Sequence, residues 1–341
     1  MRCLHVRRRL IVVLLAILVV LHANAVARAE TTDIRIAHGY GLSYLPVYVV
    51  QDQKLIEKHG NALGLADMKP VLTKVISATV ANDLLLSGSI ELAIGGVTVL
   101  MTIADRTSGR NTVRGVMALS ETPVYLITTD PRIRSMADYR DGDRIAVTGL
   151  KVTLAALLVQ MAAAKEFGWE QRFKLDPLTV ALSHPDSVIA LLGERHEVKS
   201  HAATVPYNLK ELTDPRGRVL TDSFAVLGQP HTTQAVYAAQ EWKTRNPTAY
   251  KAVTNAFEEA MEFIKKNPRA AAEIYLRAEP GSMTMQETLR FIEAEKDMRF
   301  STTPRGIMAF ADFMFKVGLL RGKPESWKQY FFDSVYEKSG D

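Results

Sequence analysis

The chain has 341 residues, a formal net charge of +5 from 42 basic and 37 acidic side chains, and a single cysteine. Five of the arginines (Arg2, Arg7, Arg8, Arg9 and Arg28) and Cys3 lie in residues 1–29, which hold no acid, so the 312 residues from 30 to 341 carry 37 basic against 37 acidic groups and no thiol. That balance leaves no basic field for nucleic acid or a membrane surface, and the missing thiol excludes disulfides, cysteine catalysis and Cys-ligated metal from the body of the chain.

Arg7, Arg8 and Arg9 precede an unbroken apolar run over residues 10–21, followed by Ala-Asn-Ala at 23–25 and Ala-Arg-Ala at 27–29. Residues 1–29 therefore read as a secretory signal peptide cleaved near Ala29, with the mature protein expected in the periplasm. Twelve apolar residues are too few to span a bilayer comfortably. Cys3 stands before the apolar run, so it is not the lipid-bearing cysteine of a lipoprotein.

Residues 34–60, IRIAHGYGLSYLPVYVVQDQKLIEKHG, predict a strand over 34–37, a small-residue loop over 38–44 and a helix opened by Pro46 and closed at Gly60. Further strands are expected over 71–77 and 91–94, with a helix over 79–86 between them. A second unit follows the same order: a strand over 144–147, a long Ala/Leu helix to Gly168, a strand over 178–183, a helix over 186–192 and a strand over 197–201. Ile36-Ala37 answers Ile145-Ala146, Thr73 and Ser77 answer Thr179 and Ser183, Gly88 answers Gly193, and Glu91 answers Glu197. Two such βαβαβ units make two doubly wound α/β lobes.

The β-branched and aromatic runs 123–129 (PVYLITT) and 232–239 (TTQAVYAA) are the expected crossing strands, a two-strand hinge. They divide the chain into lobe 1 over 30–125, lobe 2 over 126–230, and a return to lobe 1 with C-terminal helices over 231–341. Those helices are expected over 247–266, 268–276, 284–296 and 304–317, three of the four with Pro at or near the start.

Several stretches together resemble the periplasmic substrate-binding proteins of ABC importers, of the nitrate/sulfonate/taurine type. They are Tyr44-Leu45-Pro46 with its helix, LSGSIELA at 86–93, SMADYRDGDRIAV at 135–147 and SHAATVPY at 200–207. The likeness covers nearly all of 30–335. Where many relatives have a small-residue, Asp-Ala step after the glycine near 193, this chain has Glu194-Arg195-His196-Glu197-Val198-Lys199.

The resemblance implies a type II binding-protein fold of two α/β lobes. A small-molecule ligand is held between them, and hinge closure signals to a membrane permease. It implies a monomer with no cofactor, no metal and no nucleic-acid partner. Ligand contacts transferred from it, which are also the loops that the α/β fold rule selects, fall at Ser43, Tyr44, Ser77, Thr79, Gly95, Gly96, Val97, Ser120, Glu121, Thr122, Thr148, Gly149, Lys151, Thr153, His184, His201, Thr204 and Tyr207.

Lys151, at the head of a helix, is the candidate for recognising an anionic group. Glu121 either meets an ammonium or is exposed. The loop histidines His184, His201 and His231 show no metal-ligand spacing, and Ser43 with His38 lacks the context of a catalytic pair. The function expected is capture of a small organic anion, sulfonate or carboxylate, without chemical turnover. The alternatives are a nitrate or bicarbonate receptor, a receptor for a thiamin-pyrimidine precursor, and an enzyme of the same fold.

Overall fold

The computed structural model describes residues 30–107, 109–193, 198–294 and 298–341. The signal segment, residues 194–197 and the end of the expected helix 284–296 lie outside the described residues. Thr32–Asp341 forms one contact unit.

β1 (Asp33–His38) buries Ile34 and Ile36 completely and pairs in parallel with β2 (Lys69–Lys74) and β3 (Leu92–Gly96). The sheet is finished by antiparallel strands: β10 (Thr232–Ala239) lies between β3 and β4 (Val113–Glu121), and β11 (Arg299–Phe300) flanks β4. Its order is β11-β4-β10-β3-β1-β2.

The second sheet repeats the scheme with five strands. β6 (Ile145–Val147) sits in parallel between β7 (Thr179–Ala181) and β8 (Ser200–Ala203), and β5 (Tyr125–Thr128) runs antiparallel between β8 and β9 (Arg218–Asp222), in the order β7-β6-β8-β5-β9.

The internal repeat is thus a repeat of structure. Ser77 and Ser183 each cap a nine-residue helix, Ala78–Leu86 and His184–Leu192, each Oγ accepting from the N–H three residues on. One match is out of register. Thr179 lies opposite Ile145, whereas the residue opposite Ile36 is Leu72 and not Thr73.

The chain passes between sheets at residues 122–124 and 223–231. Of the runs expected to cross, 123–129 does so only at Pro123-Val124 and 232–239 not at all: β5 lies wholly in the five-stranded sheet and β10 wholly in the six-stranded one. β-Branched composition marks them as strands but cannot say to which sheet they belong. The crossings are tied to each other. Val124 N–H donates to Ser223 Oγ at 2.9 Å, and Ser223 N–H donates to Val124 O at 2.9 Å.

The single helix expected over 46–60 is two, Leu45–Asp52 and Leu55–Ala62, broken at Lys54 in the left-handed region (φ 51°). Gly60 lies inside the second helix rather than at its end. A Cβ there would come within 2.8 Å of Met68, so its smallness serves packing against β2. The C-terminal helices Pro247–Lys266 and Pro268–Ala278 start at proline as expected, and bury Phe257 and Tyr275 completely against the larger sheet's core. Each such side chain contributes about 1.5–3 kcal/mol by leaving water. The later helices run Met285–Glu293, with a Thr284–Glu287 capping box, and Ile307–Lys316.

Candidate functional site

The strand ends of both sheets open on one cleft of about 690 Å³, counting the part open to solvent. From the six-stranded sheet come Gly39 and Tyr40 in the loop after β1, Tyr44, Ile76 with Ser77 and Ala78, and Gly96 with Val99. From the five-stranded sheet come Thr148, Thr153, Leu154, Ala155, His184, Ala202 and Thr204. Val124, Thr233 and Gln234 come from the crossings and the start of β10. The wall is aromatic and aliphatic, with hydroxyls, one amide and one imidazole set in it. No Asp, Glu, Lys or Arg lines it among the described residues.

Two helix starts from different sheets meet here. Ser77 caps Ala78–Leu86 and bonds Thr79 Oγ1 through its own Oγ at 2.7 Å. Thr153 caps Leu154–Phe167, accepting from Ala156 N–H at 3.3 Å and donating to Gly149 O at 2.5 Å. Each cap satisfies one amide. The remaining first-turn N–H groups have no partner within the helix and form the positive end of its dipole. Gln234 adds a buried Oε1 with no protein partner.

His184 is held from behind by a line of hydrogen bonds. Its Nδ1 is 2.9 Å from His201 Nε2, and His201 Nδ1 is 2.5 Å from Glu211 Oε1. Its Nε2 is 3.2 Å from Thr204 Oγ1. Its ring stacks on Tyr207 at 5.1 Å and 15°. His201 and Glu211 are wholly buried, and burial pushes the His201 pKa down to about 3 and that of Glu211 up to about 9. His184 is likewise pushed well below its usual value, by burial and then by His201.

Of the expected contacts, the structure brings Tyr44, Ser77, Gly96, Thr148, Thr153, His184 and Thr204 to the cleft. His201 and Tyr207 stand behind His184. Thr79 and Gly149 lie at the rim, where a Cβ on Gly149 would be 3.8 Å from Thr79 Oγ1. The others lie elsewhere. Gly95 packs against Ala78 and Tyr237, and Val97 and Ser43 are buried in the core. Ser120 and Glu121 end β4, and Thr122 begins the crossing. Glu121 is neither exposed nor in the cleft: it is 2% exposed, with Arg305 and Arg299 at 3.6 and 3.9 Å.

Lys151 is exposed, in the left-handed region at φ 68°, three residues before its helix begins and outside the cleft lining. A lysine near a helix start in sequence need not lie on the side where the helix opens. Thr233 and Gln234 arrive with the returning strand, β10, a long-range event with no local signal. Tyr40 and Ile76, by contrast, are each one to four residues from an expected contact.

No group of three or more His, Cys, Asp or Glu among the described residues is placed to hold a metal ion. Glu211 and His184 bond opposite nitrogens of His201 and so form a line, not a cage.

No protein-family model matches the chain, and no curated protein matches it. Solved structures do. An alkanesulfonate-binding protein from Xanthomonas axonopodis pv. citri, bound to MOPS, matches with TM-score 0.66 and 18% identity over 86% of this chain and 96% of that one. A periplasmic aliphatic sulphonate-binding protein from Escherichia coli matches with TM-score 0.63 and 18% identity over 90% and 99%. A periplasmic nitrate-binding protein from Synechocystis PCC 6803 matches with TM-score 0.67 and 15% identity over 88% and 84%. The chain has the two-lobe fold of periplasmic binding proteins, and the cleft lies between the two sheets of that fold.

Proposed function

We propose that this protein is the solute-binding component of an ABC importer: exported to the periplasm, closing its lobes over a small organic anion, a sulfonate or carboxylate, and delivering it to a membrane permease. Lobe 1 takes residues 30–125 and 231–341, and lobe 2 residues 126–230. The observation that carries the reading is that helix starts from both sheets, at Ser77-Ala78 and Thr153-Leu154, open on one cleft that no charged side chain lines among the described residues. First-turn amides and hydroxyls suit an anionic head, while Tyr40, Tyr44, Ile76 and Leu154 suit an organic body better than a bare inorganic ion. Neighbours with sulfonate-binding names support an organic anion, and the one with a nitrate-binding name supports an anion of the runner-up kind. On this reading there is no chemical turnover, and the ligand leaves as it arrived.

A thermal-shift screen of alkanesulfonates, carboxylates, nitrate, bicarbonate and pyrimidines tests this, since a ligand that binds only the folded state raises its stability by RT ln(1 + [L]/Kd). Shifts confined to pyrimidines or to inorganic anions overturn the organic-anion reading. A chemically altered ligand recovered after incubation overturns the receptor reading.

A further inference from the structure

The line Glu211–His201–His184–Thr204 has a property that follows from counting protons. Each hydrogen bond in it holds one hydrogen, and each imidazole nitrogen is either a donor or an acceptor. If Glu211 is ionised and both rings are neutral, His201 Nδ1–H donates to the carboxylate. His201 Nε2 is then bare and accepts from His184 Nδ1–H, leaving His184 Nε2 as an acceptor. Thr204 must then donate its hydroxyl to His184 and shows the cleft only lone pairs.

Adding one proton reverses the His201–His184 and His184–Thr204 bonds. Whether that proton rests on Glu211 or makes His201 an imidazolium beside a carboxylate, His201 Nε2–H donates to His184 Nδ1, and His184 carries its hydrogen on Nε2. Thr204 then accepts from His184, and its own hydrogen is free to point into the cleft.

We propose that this relay holds one proton more than its ionised form, so that His184 donates to Thr204 and Thr204 turns its own hydroxyl hydrogen on the acceptor oxygens of the ligand, making the pair the selector of an anion in a cleft without a cationic side chain. The inference rests on the cleft being the ligand site. Geometry supports the protonated form. Glu211 is wholly buried and its Oε2 has no partner, so an ionised carboxylate would leave a charged oxygen unsolvated.

The surroundings do not offset that cost. The titratable groups on the elements packed round the line are Tyr207 and Lys210 on the helix of Glu211, His184 and Asp186 on the helix His184–Leu192, Tyr125 on β5, His201 on β8, and the exposed Lys165 and Glu166 at the far end of the helix Leu154–Phe167. Asp186 is turned to Ser183, 2.5 Å from its Oγ. The Glu211 pKa is raised by burial, with no charged neighbour pulling it back.

The test is nitrogen-15 NMR of the histidine side chains in the free protein, which reports each tautomer. At pH 7 His184 and His201 should both carry hydrogen on Nε2, and both should switch to Nδ1 in one step as the pH rises through about 9. In Glu211→Gln, whose amide does not titrate, that step should vanish. A His184 with hydrogen on Nδ1 at pH 7, or a switch that persists in Glu211→Gln, overturns the relay.

A second arm uses 1-butanesulfonate. If it binds at pH 7, its affinity should fall about tenfold across the switch and stay level in Glu211→Gln. Binding that leaves the His184 Nε2 signal unmoved removes His184 from the site. Failure of butanesulfonate and of every other organic anion to bind, with the tautomers as expected, refutes the cleft reading and leaves the relay standing.

Discussion

Thr122 and Thr233 bond each other twice where the chain first leaves one sheet for the other: Thr233 Oγ1 accepts the Thr122 amide at 3.0 Å and donates to the Thr122 carbonyl at 2.5 Å. One residue belongs to the outward crossing and the other to the returning strand, so a single hydroxyl fastens the two passages together beside the cleft. Thr233→Val keeps the shape and removes both bonds, leaving a buried N–H unpaired. We expect a loss of about 1–3 kcal/mol in urea denaturation. Serine at the same position should restore most of it. A loss below about 0.5 kcal/mol would show that the fastening contributes little.

That pair also shows what the sequence could and could not convey. The β-branched and aromatic run 232–239 places a strand, and β10 spans those same residues. Composition carries that much, because such side chains pack on a pleated sheet. The partner across the crossing is 111 residues away in the chain, and no local pattern encodes it. The same division holds at the cleft. Ser77, Thr153 and His184 were legible because helix starts after strands are where α/β folds bind ligands. Glu211, which sets the proton count behind His184, sits on a short helix with nothing in its neighbourhood to mark it.

Gly41 lets two loops from different sheets come into contact. Leu42 N–H donates to Val205 O at 3.2 Å, joining the loop after β1 to the loop after β8. Gly41 has φ 103°, a value that L residues rarely adopt, and a Cβ there would come within 2.7 Å of the same Val205 oxygen. Gly41→Ala should therefore push the loops apart and lower stability by about 1–3 kcal/mol. Small-angle scattering of the variant should show a larger radius of gyration. Unchanged scattering with unchanged stability would refute the contact.

Lys151 and Thr153 separate charge from helix-start recognition. Lys151→Ala should leave the affinity for whichever anion gives the largest thermal shift within about 0.5 kcal/mol, since an exposed lysine outside the lining makes at most a screened contribution. Thr153→Ala removes the cap of the Leu154–Phe167 helix and a cleft hydroxyl, and should cost about 1 kcal/mol in stability and a further 1–2 kcal/mol in binding. Isothermal titration calorimetry decides. A large loss in the lysine variant would mean that the side chain swings into the cleft when the anion binds.

Stability should peak near pH 6.5, between two opposing sets of buried groups. His38 and His231 are held neutral, both with pKa pushed down to about 4 chiefly by burial, and His201 goes down to about 3. The unfolded chain binds those protons near pH 6.5, so the stabilising effect of these depressed values is present above that pH and is lost as pH falls toward 4. Glu211 works the other way. Its pKa is raised from the ordinary 4.5 to about 9, so the unfolded chain loses that proton first, and the contribution present below pH 4.5 declines as pH rises toward 9. Below pH 6.5 these histidines, with His184 likewise depressed, outnumber the raised carboxyl and the acid limb falls. Above it Glu211 is the acid that burial raises furthest, and the alkaline limb should fall by about 3 kcal/mol between pH 6.5 and 9, at 1.36 kcal/mol per unit. Thermal melts at half-unit steps should trace this dome, with Glu211→Gln flattening the alkaline side and leaving the acid side in place. A wild-type Tm that holds level or climbs from pH 6.5 to 9 would mean that Glu211 is already ionised at neutral pH, and the donor state of His184 would fall with it.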